Sequence, residues 1–219
     1  YAWCYGLNEF VVCASAYQPW LDRFPGSTAG GRQYCLNRNH TQWEYSRPSW
    51  DYQARATFLL RQGHPVVDFC VYLGENAPVK IRTHRLPPLP EGTDFDAFTS
   101  DALFTRLSAE EGRIILPDGM NYRVLILPDK VELTYAALCQ IAELARKGAY
   151  IYGKQKPVSA QTYDNLTHRE QWEQLVNELW KSEEVKYGRG RIYSQMPIEE
   201  VARRIGILPD IERLNGSVG

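Results

Sequence analysis

The sequence predicts an α/β fold in which a parallel sheet carries helices on both faces, preceded by a shorter β-loop-α part. From residue 64 onward, apolar segments of strand length alternate with segments whose apolar residues recur every three to four positions. Such alternation is typical of parallel strands covered by helices. Before residue 64, one apolar segment is followed by a long loop and a single helical pattern. We therefore predict a first domain at residues 1–63, a second at 64–212 and a tail at 213–219.

The first part contains one predicted strand, one loop and one helix. Residues 10–12, Phe-Val-Val, are strong strand formers and predict a strand that ends near Cys13. A helix is predicted to begin at Pro48, because proline suits the first helical turn, and to be closed by Gly63. The loop between them, about residues 14–46, is rich in aromatic and charged side chains. Loops of that length are usually functional or disordered, and this composition is not that of a disordered segment.

The second part alternates strands with helices. Strands are predicted at residues 65–73, 112–117, 122–128, 149–153 and 190–194. Helices are predicted over residues 101–107, over 134–147, from a capping box at 167–170 through 179, and over 197–205. The helix at 134–147 is the clearest, because Ala137, Ile141 and Leu144 lie on one face. The proline-rich segment 78–98 is predicted to be a loop.

Composition argues against several classes of protein. The chain has 25 basic and 26 acidic residues, whereas nucleic-acid and membrane-surface proteins usually carry a basic excess. It has no apolar run long enough for a transmembrane helix. Its five cysteines form no CxxC pair and have no histidine at zinc spacing, which favours free thiols over a disulfide frame. We predict no metal site, no cofactor, and no nucleic-acid or membrane partner for this chain.

The predicted second domain looks like a flavodoxin-like sheet, a layout that many amidotransferases share. Such sheets can hold nucleotides at the carboxyl ends of their strands. The sequence contains neither GxGxxG nor GxxxxGK[ST]. Cys70 lies inside a predicted strand and Cys139 within a helix, so neither stands on the tight turn where amidotransferases place their nucleophile. A free-standing flavin or nucleotide binder is therefore the least favoured interpretation.

The loop after the first strand carries the best candidates for a site. TIM-barrel enzymes place their chemistry on loops at the carboxyl ends of strands. Cleavage of a glycoside uses two carboxylates, and Asp22 and Glu44 are of that type. Asp22 fits a solvated surface acid better, whereas Glu44 fits site and surface equally well. Cys13 has no adjacent base in sequence and so no mark of an activated nucleophile.

Several segments together resemble a known family. They are GLNEFVVCASAYQPWLDRFPG, TQWEYSRPSWDYQARATFLLRQG, VYLGENAP and DALFTRLSAEEGRIILPDGMNYRVLILP. Their order is similar to that in glycoside hydrolase family 106, the α-L-rhamnosidase type. The resemblance implies a bacterial, periplasmic or secreted enzyme that removes terminal L-rhamnose from polysaccharides. It also implies that this chain is the C-terminal part of the catalytic barrel, its last β/α unit, followed by the flavodoxin-like domain. A calcium ion in the parent enzyme is implied as well.

The resemblance also implies roles for individual residues. Gln18 and Trp20 match family positions in the substrate pocket, as do Arg38 and Glu44. Cys13 stands where the family commonly has a histidine that faces the sugar. A thiol cannot reproduce the hydrogen bonds of two ring nitrogens, so either this member binds a different sugar or the alignment is loose there. No catalytic role is carried over to any residue.

Two functions follow as expectations. In the first, the chain is a fragment of a glycoside hydrolase for terminal α-L-rhamnose or a related sugar, and is not catalytic by itself. In the second, it is a non-catalytic α/β domain for assembly or carbohydrate binding. In both cases the apolar strand of the first part needs cover. The remainder of the parent enzyme would supply it, or a second copy in a homo-oligomer.

Overall fold

A computed structural model describes residues 3, 6–11, 16–28, 37–77, 80–81 and 86–211 of the chain. The chain divides into two units, Tyr1–His64 and Pro65–Gly219. Among the described residues, no helix combines the length and the apolar character that crossing a membrane requires.

The first unit is organised around one helix, α1 (Arg47–Leu60), entered through a 3-10 turn at Glu44–Ser46. Pro48 lies in the first turn of α1, as predicted. The helix ends before Gly63, because the N–H of Gln62 already bonds to the carbonyl of Leu59 and tightens the last turn. Gly63 follows with a positive φ of 75°.

The strand predicted at residues 10–12 is absent from the part of it that the structure describes. Residues 7–11 have no strand assignment, and the side chain of Val11 is 91% exposed. Strand propensity alone does not make a strand, since the backbone needs a hydrogen-bonded neighbour, and the described residues of this unit provide none. Val12 and Cys13 lie outside the described residues.

The second unit contains eleven short strands and five helices among its described residues. The strands are β1 (Phe69–Tyr72), β2 (Phe95–Phe98), β3 (Ser108–Glu110), β4 (Arg113–Ile115), β5 (Asn121–Tyr122), β6 (Val124–Ile126), β7 (Glu132–Leu133), β8 (Tyr150–Tyr152), β9 (Val158–Ser159), β10 (Glu184–Tyr187) and β11 (Gly190–Tyr193). The helices are α2 (Ser100–Thr105), α3 (Tyr135–Lys147), α4 (Tyr163–Thr167), α5 (Arg169–Leu179) and α6 (Ile198–Arg204).

Six strands form the main sheet, in the order β10-β11-β8-β6-β1-β2. All neighbours are parallel except β10 and β11, which form an antiparallel hairpin at one edge. Helices α2, α3 and α5 contribute to the core on one face, and α6 to the core on the other. The predicted α/β architecture, a parallel sheet with helices, is thereby confirmed.

Two small sheets lie outside the main one. The segment predicted as a strand at 112–117 contributes β4, which pairs with β3 and β5 in an antiparallel sheet rather than with the main sheet. The turn at Asp118-Gly119 therefore joins β4 to β5, and Gly119 adopts the positive φ of 92° that such a turn requires. Strands β7 and β9 form a parallel pair.

Two sequence predictions about the second unit are wrong, and one strand was missed. Strand β2 occupies the end of the segment expected to be a loop, and β10 was not expected at all. The capping box at 167–170 does not form, since Thr167 is the last residue of α4 and its hydroxyl donates to the carbonyl of Tyr163. Thr162 caps α4 instead, by accepting the N–H of Asn165. Thr167 does not cap the next helix because it already belongs to α4.

Candidate functional site

Gln18 is the centre of a hydrogen-bonded loop in the first unit. Its Nε2 donates to the carbonyl of Ser27, and its Oε1 accepts the Ser27 N–H at 2.9 Å. Asn39 Nδ2 donates a second bond to the same oxygen, at 3.3 Å, which is the third bond of this amide. Gly26 leaves room for this arrangement, because a Cβ there would lie 2.1 Å from Gln18 Oε1. The amide of Gln18 therefore closes the loop at residues 18–27 and keeps one Nε2 hydrogen for other contacts.

Arg38 joins this loop to the next segment of chain. Its Nη2 lies 3.2 Å from the carbonyl oxygens of both Gln18 and Trp20, and donates to them. The guanidinium of Arg23 stacks on the ring of Trp20, 4.7 Å from its centroid. Three of the predicted substrate-binding residues, Gln18, Trp20 and Arg38, are thus brought together in one network.

The other two predicted site residues are not part of that network. Glu44 is exposed at the start of the 3-10 turn, and its side chain makes no hydrogen bond or ion pair to any described residue. Cys13 lies outside the described residues. Asp22 is exposed, in keeping with a solvated surface acid. The substrate-binding roles of all five predicted residues stay predictions.

The first unit has a large exposed aromatic surface. None of its described residues is buried, and α1 has no buried face. Its exposed aromatic residues are Phe10, Tyr17, Trp20, Phe24, Trp43, Tyr45, Tyr52 and Phe58. A folded unit normally buries such side chains, so this surface is suited to being covered by protein or to stacking against flat ligands.

The carboxyl edge of the parallel sheet is where ligands bind in most folds of this layout. There the N-terminus of α3 would offer free N–H groups to an anion. In this chain the carboxylate of Glu75 already accepts the Thr134 N–H at 2.8 Å and the Thr134 hydroxyl at 3.0 Å. The Thr134 hydroxyl in turn accepts the N–H of Ala137 at 3.2 Å.

Two further side chains fill the rest of the helix terminus, and we call Glu75, Asp164 and Asn165 together the plug. Asn165 Oδ1 accepts the N–H of Tyr135 at 2.7 Å, and Asp164 Oδ2 accepts the N–H of Ala136 at 3.1 Å. Asn165 is buried, and its Nδ2 also donates to the carbonyl of Leu133 at 2.9 Å. The helix terminus is thus filled by the protein's own acceptors, and a phosphate would have to displace them. Sequence reasoning missed this plug, since its members come from segments distant in sequence.

The buried cysteine of the sheet has no sign of reactivity. Cys70 is fully buried in β1, and its thiol lies 3.6 Å from the carbonyl oxygen of Val124. Burial raises the pKa of this thiol well above its usual range, so it stays protonated at neutral pH. Within the described ranges, no cluster of three or more histidine, cysteine or acidic side chains is placed to hold a metal ion.

Comparison with known proteins decides the family. The model of glycoside hydrolase family 106, described as alpha-L-rhamnosidase, matches residues 1–218. The chain belongs to this family. The resemblance expected from the sequence segments is therefore confirmed.

Two known proteins are similar in sequence or structure to this family 106 chain. A protein from Formosa agariphila named a putative beta-glucuronidase is 31% identical over 180 residues, which is 82% of this chain. A solved rhamnosidase from Novosphingobium sp. PP1Y superimposes with a TM-score of 0.71 and 26% identity over 85% of this chain. The chain spans only 15% of the first protein and 18% of the second.

Removing the plug at α3 should lower stability. We expect Asn165→Ala to reduce the free energy of unfolding by about 1–3 kcal/mol, because it leaves the Tyr135 N–H without a partner and removes one of the two hydrogen bonds to the Leu133 carbonyl, the other coming from the Ala160 N–H. Chemical denaturation monitored by circular dichroism measures the change. Asn177→Ala is the matched control, since Asn177 is exposed and bonds only to Lys156 among the described residues. Equal effects of the two substitutions would contradict the plug.

Removing the Gln18 amide should loosen its loop. We expect Gln18→Ala to speed hydrogen exchange of the Ser27 N–H by about tenfold, the effect of losing one hydrogen bond of about 1.4 kcal/mol. Gln42→Ala serves as control, because the Gln42 side chain makes no hydrogen bond to the described residues. Unchanged exchange at Ser27 in Gln18→Ala would show that the amide does not hold the loop.

Proposed function

We propose that this chain is part of a longer glycoside hydrolase that removes terminal α-L-rhamnose or a related sugar from polysaccharides, and that the chain is not catalytic by itself. Membership of family 106 supports a glycosidase. The names of the two similar proteins, a rhamnosidase and a putative glucuronidase, differ in the sugar they point to. We therefore keep the substrate at the level of a terminal sugar of this group.

The observation that carries the fragment proposal is the burial pattern of the first unit. No described residue at 3–64 is buried, and eight aromatic side chains there are exposed. Because the described residues of this unit form no buried core, their exposed aromatic side chains need another surface to cover them. The similar proteins are about six times longer than the matched region, which is 15–18% of their length. We propose that the missing surface belongs to the remainder of such a longer enzyme.

We further propose that the first unit is the last β/α unit of the catalytic barrel, its strand forming only against barrel neighbours outside this chain, and that the second is a flavodoxin-like domain. The strand order supports the second assignment. Counted along the chain, the five parallel strands of the main sheet lie in the spatial order 2-1-3-4-5, which is the flavodoxin-like order. Here the switch point between β1 and β6 lies beside the plugged helix terminus, which fits a domain that does not bind a nucleotide.

In this proposal the loop at residues 16–28 borders the sugar pocket. Trp20 supplies a stacking face, and its side chain is 42% exposed although Arg23 covers part of it. Arg38 and Gln18 hold the loop that carries Trp20. Glu44 stays a candidate contact. The carbohydrate, the parent enzyme and a periplasmic or secreted location belong to the same proposal, as does calcium bound by residues outside this chain.

A second candidate function is a non-catalytic α/β domain for assembly or carbohydrate binding. The plug of Glu75, Asp164 and Asn165 favours it, because the edge where most such sheets hold a substrate is filled. The exposed aromatic surface of the first unit would then bind a partner or a second copy of the chain. Sedimentation of the isolated chain separates these cases, since assembly through this surface predicts a concentration-dependent dimer.

The isolated chain should not hydrolyse glycosides. We expect no turnover of an aryl α-L-rhamnoside above buffer, because one β/α unit cannot enclose a sugar between paired carboxylates. A longer protein that contains this chain should release the aryl group. Clear turnover by the 219 residues alone would contradict the fragment proposal. A longer protein that cleaves neither rhamnosides nor related glycosides would favour the second function.

Trp20 should matter for substrate binding in the longer enzyme. We expect Trp20→Ala to raise KM about two- to tenfold, the effect of losing an aromatic stacking contact of about 0.5–1.5 kcal/mol. Trp43→Ala is a matched control, because Trp43 has the same exposed fraction, 42%, and lies in the same unit. Steady-state kinetics gives the KM of both variants, and equal KM values would show that Trp20 does not contact the substrate.

A further inference from the structure

The second unit has a polar cleft at the amino-terminal ends of the parallel strands, opposite to the carboxyl ends where the plug lies. Its volume is about 570 Å³, within the usual range of ligand-binding pockets. It opens at the amino-terminal ends of three strands, where Arg123 precedes β6, Tyr150 begins β8 and Arg191 lies near the start of β11. Arg204, near the end of α6, lines the same cleft. Nothing in the proposed hydrolase site uses this cleft.

Two arginines of the cleft are held by an ion-pair network. Glu184 pairs with Arg191 through one carboxylate oxygen and with Arg204 through the other, the second at 3.0 Å. Arg204 Nε also donates to Glu200 at 2.8 Å. Exposed ion pairs of this kind add little stability, but a network of them fixes where the guanidinium groups point. Each of the two arginines keeps further N–H donors for a ligand.

Two more arginines are fixed by single contacts. Arg113 Nη1 donates to Asn121 Oδ1 at 2.7 Å, and Arg123 Nη2 donates to the carbonyl of Ile205. A guanidinium that is already positioned loses less conformational entropy when it binds a ligand. Its planar fork of N–H groups matches a carboxylate. The cleft thus presents four prepositioned arginine side chains.

A tyrosine hydroxyl adds a second kind of donor. Tyr193 lines the cleft, and its hydroxyl has no hydrogen-bond partner among the described residues. Burial raises the pKa of Tyr193 to about 12, so the hydroxyl keeps its proton. Tyr152, by contrast, lies outside the cleft lining, and its hydroxyl donates to the Met196 carbonyl at 2.9 Å. A hydroxyl that bonds to no described residue is available to donate to a ligand or to solvent.

The charge of the lining selects the class of ligand. Four arginines and two glutamates, Glu111 and Glu184, line the cleft, which leaves two positive charges in excess among the lining residues. Asp68 does not line the cleft, although its charge reaches Arg113 and Arg123. An anionic group with hydroxyls around it satisfies both the arginines and the carboxylates, since sugar hydroxyls donate to glutamate oxygens.

We propose that this cleft binds a carboxylate-bearing carbohydrate, a uronic acid residue within an oligosaccharide. The arginines take the carboxylate, and the tyrosine hydroxyls and glutamates take the ring hydroxyls. The cleft is a binding site separate from the loop at residues 16–28, and it does not depend on the proposed hydrolysis. Its role is to hold an acidic polysaccharide chain.

Calorimetric titration of the 219-residue chain tests the proposal with three probes at constant ionic strength. They are digalacturonic acid, the neutral disaccharide of galactose, and acetate. We expect saturable binding of the diuronate and at least tenfold weaker binding of the other two. No saturable binding of the diuronate overturns the proposal. Equal binding of the neutral sugar would show that the arginines do not recognise the carboxylate. Equal binding of acetate would show that the sugar ring makes no contribution. Either result would contradict the proposal.

Paired variants locate the binding. We expect Tyr193→Phe to weaken binding about two- to tenfold, as for one lost hydrogen bond, without lowering the melting temperature. Arg113→Gln should weaken it by about tenfold or more, as for a bond to a charged group. Tyr152→Phe is the control, and should lower the melting temperature and leave affinity unchanged. Equal loss of affinity in Tyr152→Phe and Tyr193→Phe would overturn the assignment to this cleft. None of these readouts involves turnover, so their failure is distinct from failure of the proposed hydrolase.

Discussion

The pairing of β1 with β6 is the interaction on which the second unit depends. The two strands run parallel, with Phe69 opposite Val124 and Val71 opposite Ile126. Side chains alternate along them, so Cys70 and Leu125 enter the core on one face, while Phe69, Val71 and Val124 enter the core on the other. A register shift of one residue would exchange these two sets, and both cores would lose their packing at once.

This pairing also separates the two edges of the sheet. At the carboxyl edge, the chain that follows β1 carries Glu75 back to the start of α3, which closes the usual ligand site. At the amino edge, Arg123 precedes β6 and points into an open polar cleft. The same strands therefore produce one filled edge and one available edge. The two ends differ because the loops at the carboxyl end bring side-chain acceptors to the unpaired N–H groups of α3, whereas the loops at the amino end bring arginines into an open cleft.

Local sequence signals predicted the elements whose ends are set by their own residues. Helix α3 was predicted to within one residue, since Thr134 caps it and an apolar stripe defines its face. Strand β2 was missed because its Asp96 breaks the apolar run, and its place in the sheet depends on pairing with β1 and on the bond from Tyr122 to Asp96 at 2.9 Å. The predicted strand before Cys13 failed in its described part for the converse reason, since its propensity found no neighbour.

For the candidate site, the sequence by itself predicted the family and the long loop segment that contains Gln18, Trp20 and Arg38. It did so because the residue types and their order along the chain are local properties. Only the tertiary structure decided that the amide of Gln18 holds Ser27 through two hydrogen bonds, that side chains distant in sequence fill the terminus of α3, and that four arginines meet in a cleft. Those outcomes depend on which unpaired polar groups the folded chain brings within hydrogen-bond distance, and no spacing in the sequence records that.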